Sequence, residues 1–550
     1  MRFKRFLLLT PLTALTLSSC AMNIFDLFSQ TDPEEGAYGY VEQTTTFAKS
    51  SLPSITYKNL QIANTVSGGA CNAIPSTGDI NLLVVPIEFR GYPFTSKTLS
   101  DLNRCFNGDG SSETGYWESL SSFYKKSSFN KLNLVAEITP VYSLSSTPTT
   151  FLPTSSDDSS KISSLVKEVS DWYKANNPGE IERFDNDKDG FIDGIYLIYS
   201  CPDYNTAEKN GIKLNSNYWA FVSWLPKQKS SISSPNPNNF MWASYDFMYT
   251  GLPEEIVLSS VDAHTFIHET GHMLGFDDYY NYDADPNDDE YTDTNYKYYA
   301  PTGGLDMMDY NILDHNCWSK FALGWVKPYV IDSTTSLPLT IEINDSQSSG
   351  DFILIKDKRT KYNNSAFDEY MVIELYTPTG LNYLDSHQRY EGTYPLGFTV
   401  SGVKITHIDA RVGEFHKVGL DFSGDYVDYL TLDLLGKASS TTSFNILASN
   451  TPSYSSGNQG YRLIHLMESN GKNTFQNKDY EEDNKYYLAN DKTLFVGSSG
   501  RGFFTMKKFS SFFENKTKLN NGYSFPYSIK VNGIKETESG AKASITIAEV

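Results

Sequence analysis

The spacing of apolar residues divides the chain into two regions of different periodicity. Before residue 327, an apolar repeat of three to four residues over 161–175 predicts an amphipathic helix, and β-branched or aromatic runs at 194–199 and 219–224 predict strands. After residue 328 the pattern changes to short alternating strands separated by Gly, Asn, Ser and Pro, as in antiparallel sandwiches. Such strands are predicted at 369–376, 429–435, 461–467, 527–531 and 543–550.

A second predicted helix carries ionisable groups. His268 and His272 lie four residues apart, so on a helix they project from one face. Two imidazoles at that spacing can bind one zinc ion, and Glu269, one position further round, can reach a zinc-bound water as a general base. Gly275 permits the left-handed conformation that ends a helix, and the reversed chain can bring Asp278 back as a third ligand. Three protein ligands leave a fourth position for water, which is typical of a catalytic zinc site.

A third histidine lies on the same predicted face. His264 precedes His268 by one helical turn. We expect it to pack or to hydrogen-bond near the start of the helix, because Asp278 already completes the ligand set. The polar residues within 259–262 are candidate N-caps. The alternative to a zinc site is a helix that merely carries hydrogen-bonded histidines.

A turn rich in glycine and methionine follows some thirty residues after the zinc helix. It runs from Gly303 to Tyr310 and contains Met308. Here the chain resembles the metzincin-type zinc proteases, in which a methionine-containing turn forms a hydrophobic floor under the metal. That resemblance implies that Met308 is the floor residue and that Tyr310 donates a hydrogen bond to the developing oxyanion. Taken alone, the methionines are also compatible with ordinary core packing.

Several further blocks resemble one family, the immune-inhibitor-A-like secreted metalloproteases. The resembling blocks are 80–89, 123–132, 305–308, 318–326 and 402–409. Asn130 stands where the family usually has glycine, and Asp277 stands where it usually has proline. The resemblance implies a zinc protease that hydrolyses peptide bonds, with zinc lowering the pKa of its bound water and Glu269 taking the proton.

These patterns together predict an α+β metzincin-like zinc protease domain followed by one or more C-terminal all-β sandwich modules. We expect a lipoprotein signal peptide at 1–19, a tether and pro-like N-terminal segment at 20–78, the catalytic domain at 79–328 and the β-sandwich region at 329–550.

The N-terminus indicates export. Basic residues within 2–5 precede an apolar stretch that ends in Leu17-Ser18-Ser19-Cys20, as in a bacterial lipoprotein signal. We therefore expect Cys20 to be lipidated and to anchor the protein to the outer face of a bacterial cell membrane. The alternative is an ordinary signal peptide that is cleaved elsewhere.

Charge and cysteine content restrict the partners. The formal net charge is −21, which argues against nucleic acid as a partner and leaves proteins or glycoproteins outside the cell as expected substrates. The spacing of the remaining cysteines does not fit a zinc knuckle and permits one or two disulfides, whose pairing the sequence does not define. These cysteines are Cys71, Cys105, Cys201 and Cys317.

An acidic loop at 185–193 predicts a structural calcium site. Its ligands would be the side chains of Asp185, Asp187, Asp189 and Asp193 and the backbone carbonyl of Phe191. Gly190 occupies the position of the sharp turn. Tyr196 stands where an EF-hand has its last glutamate, and the flanks do not predict two helices. The alternative is a solvated acidic turn.

The sequence thus favours a cell-surface zinc endopeptidase. Two other functions stay open. One is a surface adhesin with a latent or inactive protease domain, whose C-terminal sandwich binds matrix or host glycoproteins. The other is a zinc hydrolase that acts on bonds other than peptides.

Overall fold

A computed structural model describes most of the chain after residue 37. The described residues are 38–50, 73–155, 159–225, 230–253, 259–282, 300–359, 366–390, 394–418, 421–426, 442–446, 449–450, 460–475, 478–479, 485–486, 488–538 and 540–550. Cys20, Cys71 and the strand predicted at 429–435 lie outside them.

The described chain up to residue 322 contains both helices and strands. The strands of this half are β1 (Gly78–Glu88), β2 (Leu132–Ile138), β3 (Tyr142–Ser143), β4 (Phe191–Ile192), β5 (Ile195–Tyr199), β6 (Phe221–Trp224), β7 (Asn236–Pro237) and β8 (Asn239–Ser244). The helices are α1 (Ser96–Asn107), α2 (Ser111–Thr114), α3 (Leu120–Ser127), α4 (Pro148–Phe151), α5 (Ser160–Asn176), α6 (Tyr204–Lys209), α7 (Phe247–Thr250), α8 (His264–Leu274), α9 (Met307–Tyr310) and α10 (Cys317–Ala322), with a 3₁₀ turn at Ile181–Phe184.

Strands dominate the described residues after 328. They are β9 (Tyr329–Ile331), β10 (Leu339–Asn344), β11 (Phe352–Lys356), β12 (Glu369–Tyr376), β13 (Gly402–Asp409), β14 (Val412–Val418), β15 (Asp421–Tyr426), β16 (Thr442–Ile446), β17 (Ile464–Leu466), β18 (Lys478–Asp479), β19 (Lys485–Tyr486), β20 (Phe503–Thr505), β21 (Tyr527–Thr537) and β22 (Gly540–Glu549). The helical pieces are α11 (Ser346–Ser349), α12 (Tyr383–His387) and 3₁₀ turns at Gly380–Asn382 and Ser510–Phe512. The predicted mixed α/β content is confirmed.

The first sheet is covered by helices on both faces. Its order is β2-β1-β5-β8-β6, with β3 beside the end of β1, and β6 runs antiparallel to β8 while the other pairs are parallel. Alternate residues of β1 enter different cores: Leu82 packs with α1, α3 and α8, and Leu83 packs with α5. Burial on both faces explains why β1 and β5 are continuous apolar runs.

Two further sheets pack face to face in the C-terminal half. One has the order β17-β13-β12-β11-β9 and the other β10-β22-β21-β20. Ile353, Ile373 and Ile405 of the first share a core with Ile341 and Ile545 of the second. Smaller sheets join β15-β14-β16, β18-β19 and β4-β7.

The five-stranded sheet also buries its other face. Leu354 and Val372 point into the core that contains Phe266 and Ile267 of α8. The N-terminal half and the C-terminal half of the described chain therefore share a continuous core, and the boundary expected near residue 328 stays a prediction.

Residues 38–50 form a strap across the four-stranded sheet. The Gln43 N–H donates to Glu342 Oε2 at 2.9 Å, and the Glu342 N–H donates to Gln43 Oε1 at 2.9 Å. The Tyr40 hydroxyl donates to the other oxygen of Glu342 at 2.5 Å, and the Ser544 hydroxyl donates to the Val41 carbonyl at 2.5 Å. This part of the predicted pro-like segment is thus built into the C-terminal half.

The described cysteines are reduced and buried. Cys105, Cys201 and Cys317 are free thiols, so no disulfide joins any two of them. Within the described ranges, no helix combines the length and apolar character needed to cross a bilayer.

Candidate metal centre

Helix α8 carries the predicted site, and both of its ends are well defined. It ends at Gly275, whose φ of 115° lies in the left-handed region that glycine favours, as predicted. Its N-cap residue is Ala263 and not one of the polar residues within 259–262. Asp262 nevertheless contributes, because its carboxylate accepts the backbone N–H of His264 at 3.1 Å.

The structure brings the three predicted zinc ligands together. His268, His272 and Asp278 each offer a ligand atom, and these atoms all lie within 4.8 Å of one another. Asp278 Oδ1 is 3.0 Å from His268 Nε2 and 3.5 Å from His272 Nε2. The turn after Gly275 therefore returns the aspartate to the histidine face of the helix.

Backbone carbonyls fix the orientation of both imidazoles. His268 Nδ1 lies 2.7 Å from the carbonyl of Met307, and His272 Nδ1 lies 2.8 Å from the carbonyl of Phe276. A carbonyl only accepts, so each Nδ1 donates, and in the neutral ring Nε2 keeps its lone pair toward Asp278. Backbone carbonyls orient metal-binding histidines in this way, by accepting the N–H of the ring nitrogen that does not bind the metal.

The electrostatics of the cluster favour positive charge. Burial opposes protonation of His272, but the Asp278 carboxylate outweighs it and raises the pKa of His272 to about 10. Burial likewise opposes the charge of Asp278, yet the two imidazoles hold the pKa of this carboxyl well below its usual range. A cation between these groups would take the place of the proton.

Glu269 stands beside the cluster with an unused oxygen. Its Oε2 atom is buried and has no hydrogen-bond partner, and burial raises the pKa of the carboxyl. The residue lines a cavity of about 580 Å³ together with His268 and Tyr310. A buried carboxylate oxygen without a donor is costly unless a ligand or water satisfies it.

Asp278 has a further partner that the sequence did not predict. The Tyr282 hydroxyl donates to Asp278 Oδ2, the oxygen other than the one near the histidines. Tyr282 also lines the cavity. The only sequence signal is its position four residues after Asp278 in a tyrosine-rich stretch.

The methionine turn packs against α8 between the two histidines. A Cβ placed on Gly271 would lie only 2.3 Å from Met308 Sδ, so the thioether occupies the space that this glycine leaves open. The Met308 carbonyl also accepts the N–H of Tyr279 at 2.8 Å, just after Asp278. The turn therefore contacts both the helix and the returning chain.

Tyr310 lies in the cavity wall, where its ring meets that of Tyr394 edge to face at 5.5 Å. Its neighbour Asp309, for which the sequence predicted no role, lines the same cavity. Asp309 Oδ2 accepts from the Thr302 hydroxyl and from the Gly304 N–H at 3.1 Å, while its buried Oδ1 has no hydrogen-bond partner. Burial raises the pKa of Asp309 to about 7.

His264 occupies a separate buried site. Its ring is stacked between Trp117, at 4.0 Å, and Tyr390, at 4.3 Å. Its nitrogens face Asp262 at 2.5 Å and Asp385 at 3.3 Å. Burial opposes its charge, but the two carboxylates raise the pKa of His264 to about 10. Its nitrogens are thus directed at structural carboxylates, in keeping with the expected packing role.

The acidic loop brings together three of its four predicted carboxylates. Ligand atoms of Asp185, Asp187 and Asp189 lie within 4.8 Å of one another. Asp193 is not in that group, and its Oδ2 accepts from the backbone N–H and the side-chain amide of Asn186, at 2.7 and 2.9 Å. Phe191 begins β4, and its backbone N–H donates to Asp189 Oδ1 at 3.0 Å, so this residue lies beside the three carboxylates.

The turn of this loop requires glycine. Gly190 has a φ of 90°, and a Cβ there would lie 2.6 Å from the backbone nitrogen of Ser231. The close approach of a second segment fixes the acidic loop in place.

Comparison of the sequence with protein-family models and with curated proteins found no match. Function must therefore be inferred from the residues of the site.

Proposed function

We propose that the chain is a zinc-dependent endopeptidase that hydrolyses proteins or glycoproteins outside the cell. The supporting observation is the convergence of His268, His272 and Asp278 within 4.8 Å, beside the buried and unpartnered Oε2 of Glu269. Two imidazoles and one carboxylate are a donor set found in catalytic zinc sites. A bound zinc would supply Lewis-acid chemistry by acidifying water and polarising the scissile carbonyl.

The remaining steps belong to side chains of the cavity. Glu269 accepts the proton of the attacking water and returns it to the leaving amine. Its raised pKa brings it closer to the range in which a carboxyl can both take and give a proton near neutral pH. The Tyr310 hydroxyl, in the same cavity wall, is the candidate donor to the developing oxyanion.

The same proposal includes the fold family of the catalytic half, a calcium site and the cellular location of the enzyme. The left-handed Gly275, the return of Asp278 and the contact between Met308 and Gly271 support a metzincin-like catalytic half and the resemblance to immune-inhibitor-A-like proteases. We also propose a structural calcium at Asp185, Asp187 and Asp189 and a lipid anchor at Cys20 on the outer face of a bacterial membrane.

Casein cleavage by residues 21–550 tests the proposal. We expect Glu269→Gln to retain zinc and to lower the cleavage rate by about 10²–10⁴-fold, because the amide cannot take the proton. Zinc content is measured in both proteins, and Glu538→Gln, at an exposed glutamate in the turn after β21, controls for the change itself.

Cleavage by the parent and the control, and its loss in the zinc-loaded Glu269→Gln protein, would support the proposal. Zinc in all three proteins with cleavage by none would contradict it and favour the alternative of a binding protein with an inactive protease domain.

A further inference from the structure

The walls of the cavity beside Glu269 are aromatic. Three pairs of rings line it: Trp219 with Phe247 at 5.5 Å, Tyr280 with Tyr282 at 5.5 Å, and Tyr310 with Tyr394 at 5.5 Å. Aromatic faces carry partial negative charge, so a cation is attracted when it enters a space between them. At about 580 Å³ the cavity is large enough for a long side chain.

One carboxylate in this cavity lacks a partner for one of its oxygens. Asp309 is 3% exposed, and the Thr302 hydroxyl and the Gly304 N–H both donate to its Oδ2. Two donors on a single oxygen fix the carboxylate plane and leave Oδ1 without a donor. Oε2 of Glu269, beside the proposed zinc ligands, also has no hydrogen-bond partner. Glu269 belongs to α8, whereas Asp309 belongs to the methionine turn.

No positive side chain neutralises this carboxylate from the cavity wall. The described residues that line the cavity include neither lysine nor arginine. The chain as a whole carries a formal charge of −21. A field of this sign raises the local concentration of cationic substrates.

We propose that the cavity binds a lysine or arginine side chain of the substrate, with Asp309 pairing with its charge. The proposal rests on the peptidase function and adds a substrate class to it. The aromatic pairs enclose the stem and face of the bound side chain, and Asp309 Oδ1 accepts its N–H group. A buried carboxylate prefers a charged donor, because such hydrogen bonds are about twice as strong as neutral ones.

Matched peptides test the preference. One peptide scaffold is prepared with lysine, arginine, norleucine or glutamine at a single position next to the scissile bond, on either side in turn. We expect kcat/KM to be roughly 10–100-fold higher for lysine and arginine than for norleucine and glutamine on one side of the bond. Mass spectra of the products identify the bond that is cleaved.

Asp309→Asn tests whether Asp309 causes the preference for basic peptides. The amide keeps an oxygen for Thr302 and Gly304 but loses the charge, so the ratio of basic to neutral kcat/KM should fall to about one. Asp171→Asn, an exposed change of the same charge on α5, should keep the ratio of the parent. In case the Asp309 variant does not fold, N-acetyl-arginine amide should inhibit the parent more strongly than its norleucine counterpart.

The outcomes separate this proposal from the function on which it rests. Equal cleavage of basic and neutral peptides by the parent, or an unchanged ratio in a folded Asp309→Asn, would overturn the assignment of Asp309 and leave the peptidase intact. Cleavage of no peptide and of no casein would overturn the peptidase function instead.

Discussion

The Tyr282 hydroxyl supports the proposed ligand Asp278 directly, by a hydrogen bond to its Oδ2. A partner of this kind fixes the carboxylate so that its other oxygen stays beside the two histidines. We expect Tyr282→Phe to weaken zinc binding by roughly 10–100-fold, the usual cost of losing such a partner. Competition with a chromogenic chelator measures the affinity directly, without reference to catalysis.

Tyr383→Phe removes an exposed hydroxyl of the same kind and should leave zinc affinity as in the parent. Equal affinity in Tyr282→Phe and the parent would mean that the hydrogen bond does not position the ligand.

At the scale of residues, spacing predicted the groups that lie on one helix or directly after it. His268, His272 and Asp278 follow from the helical period and the glycine that ends the helix. Tyr282 and Asp309 did not follow, because their importance depends on contacts made after folding. The sequence does not show whether each oxygen of a polar side chain in a turn has a hydrogen-bond donor. For Asp309 this follows only from the structure, in which Thr302 and Gly304 both donate to the same oxygen.

At the scale of elements, α8 and the methionine turn depend on one close contact. Gly271 leaves the space that the buried Met308 thioether fills. We expect Gly271→Ala to destabilise the fold by about 1–3 kcal/mol, since overpacking a closed core outweighs the helix propensity that alanine gains. Urea unfolding measures the change.

Gly271→Ala should have the opposite effect on stability when Met308 is replaced by a shorter side chain. In a Met308→Ala background, Gly271→Ala should stabilise the helix by up to about 1 kcal/mol relative to Met308→Ala alone. Additive effects of the two changes would show that the contact is not the cause.

Local periodicity predicted individual elements well and their pairing not at all. The helix expected at 161–175 is Ser160–Asn176, and the strand expected at 369–376 is Glu369–Tyr376. The prediction that a polar residue within 259–262 is the N-cap of α8 was wrong. Ala263 occupies that position, and Asp262 directs its carboxylate to His264. The pairing of β10 with β22 joins residues about two hundred positions apart, and no local pattern encodes it.

At the scale of the whole molecule, His264 links helix α8 to the C-terminal half through Asp385 and Tyr390. Its pKa of about 10 lies above the value near 6.5 of an unfolded chain, so the folded protein keeps a proton that the unfolded chain releases. This contribution to stability is complete below about pH 6.5 and is lost progressively as the pH rises through 10. We expect the free energy of unfolding of the zinc-loaded protein to fall by at least roughly 1 kcal/mol between pH 7 and 10.

Asp385→Asn removes one of the two carboxylates that face His264. The free energy of unfolding of this variant should therefore fall less between pH 7 and 10. Urea midpoints at both pH values give the comparison, with Asp171→Asn as a control that should decrease as the parent does. An identical decrease in Asp385→Asn would show that other groups cause it.

The packing between the two halves of the chain could not be predicted from the sequence. The five-stranded sheet buries one face against α8 and the other against the four-stranded sheet, and the domain boundary expected near residue 328 stays a prediction. A strand buried on both faces reads as a continuous apolar run, so the sequence of β11 does not reveal that two different cores use it.

The strap formed by residues 38–50 determines where a mechanical load would enter the fold. The hydrogen bonds of Gly39, Gln43 and Val41 transmit tension on the chain ahead of Tyr38 to Asn532, Glu342 and Ser544. These contacts lie on β10, β21 and β22, and the cleft residues on α8 and α9 are not among them. A pull on the strap would therefore strain the four-stranded sheet before it deformed the cavity.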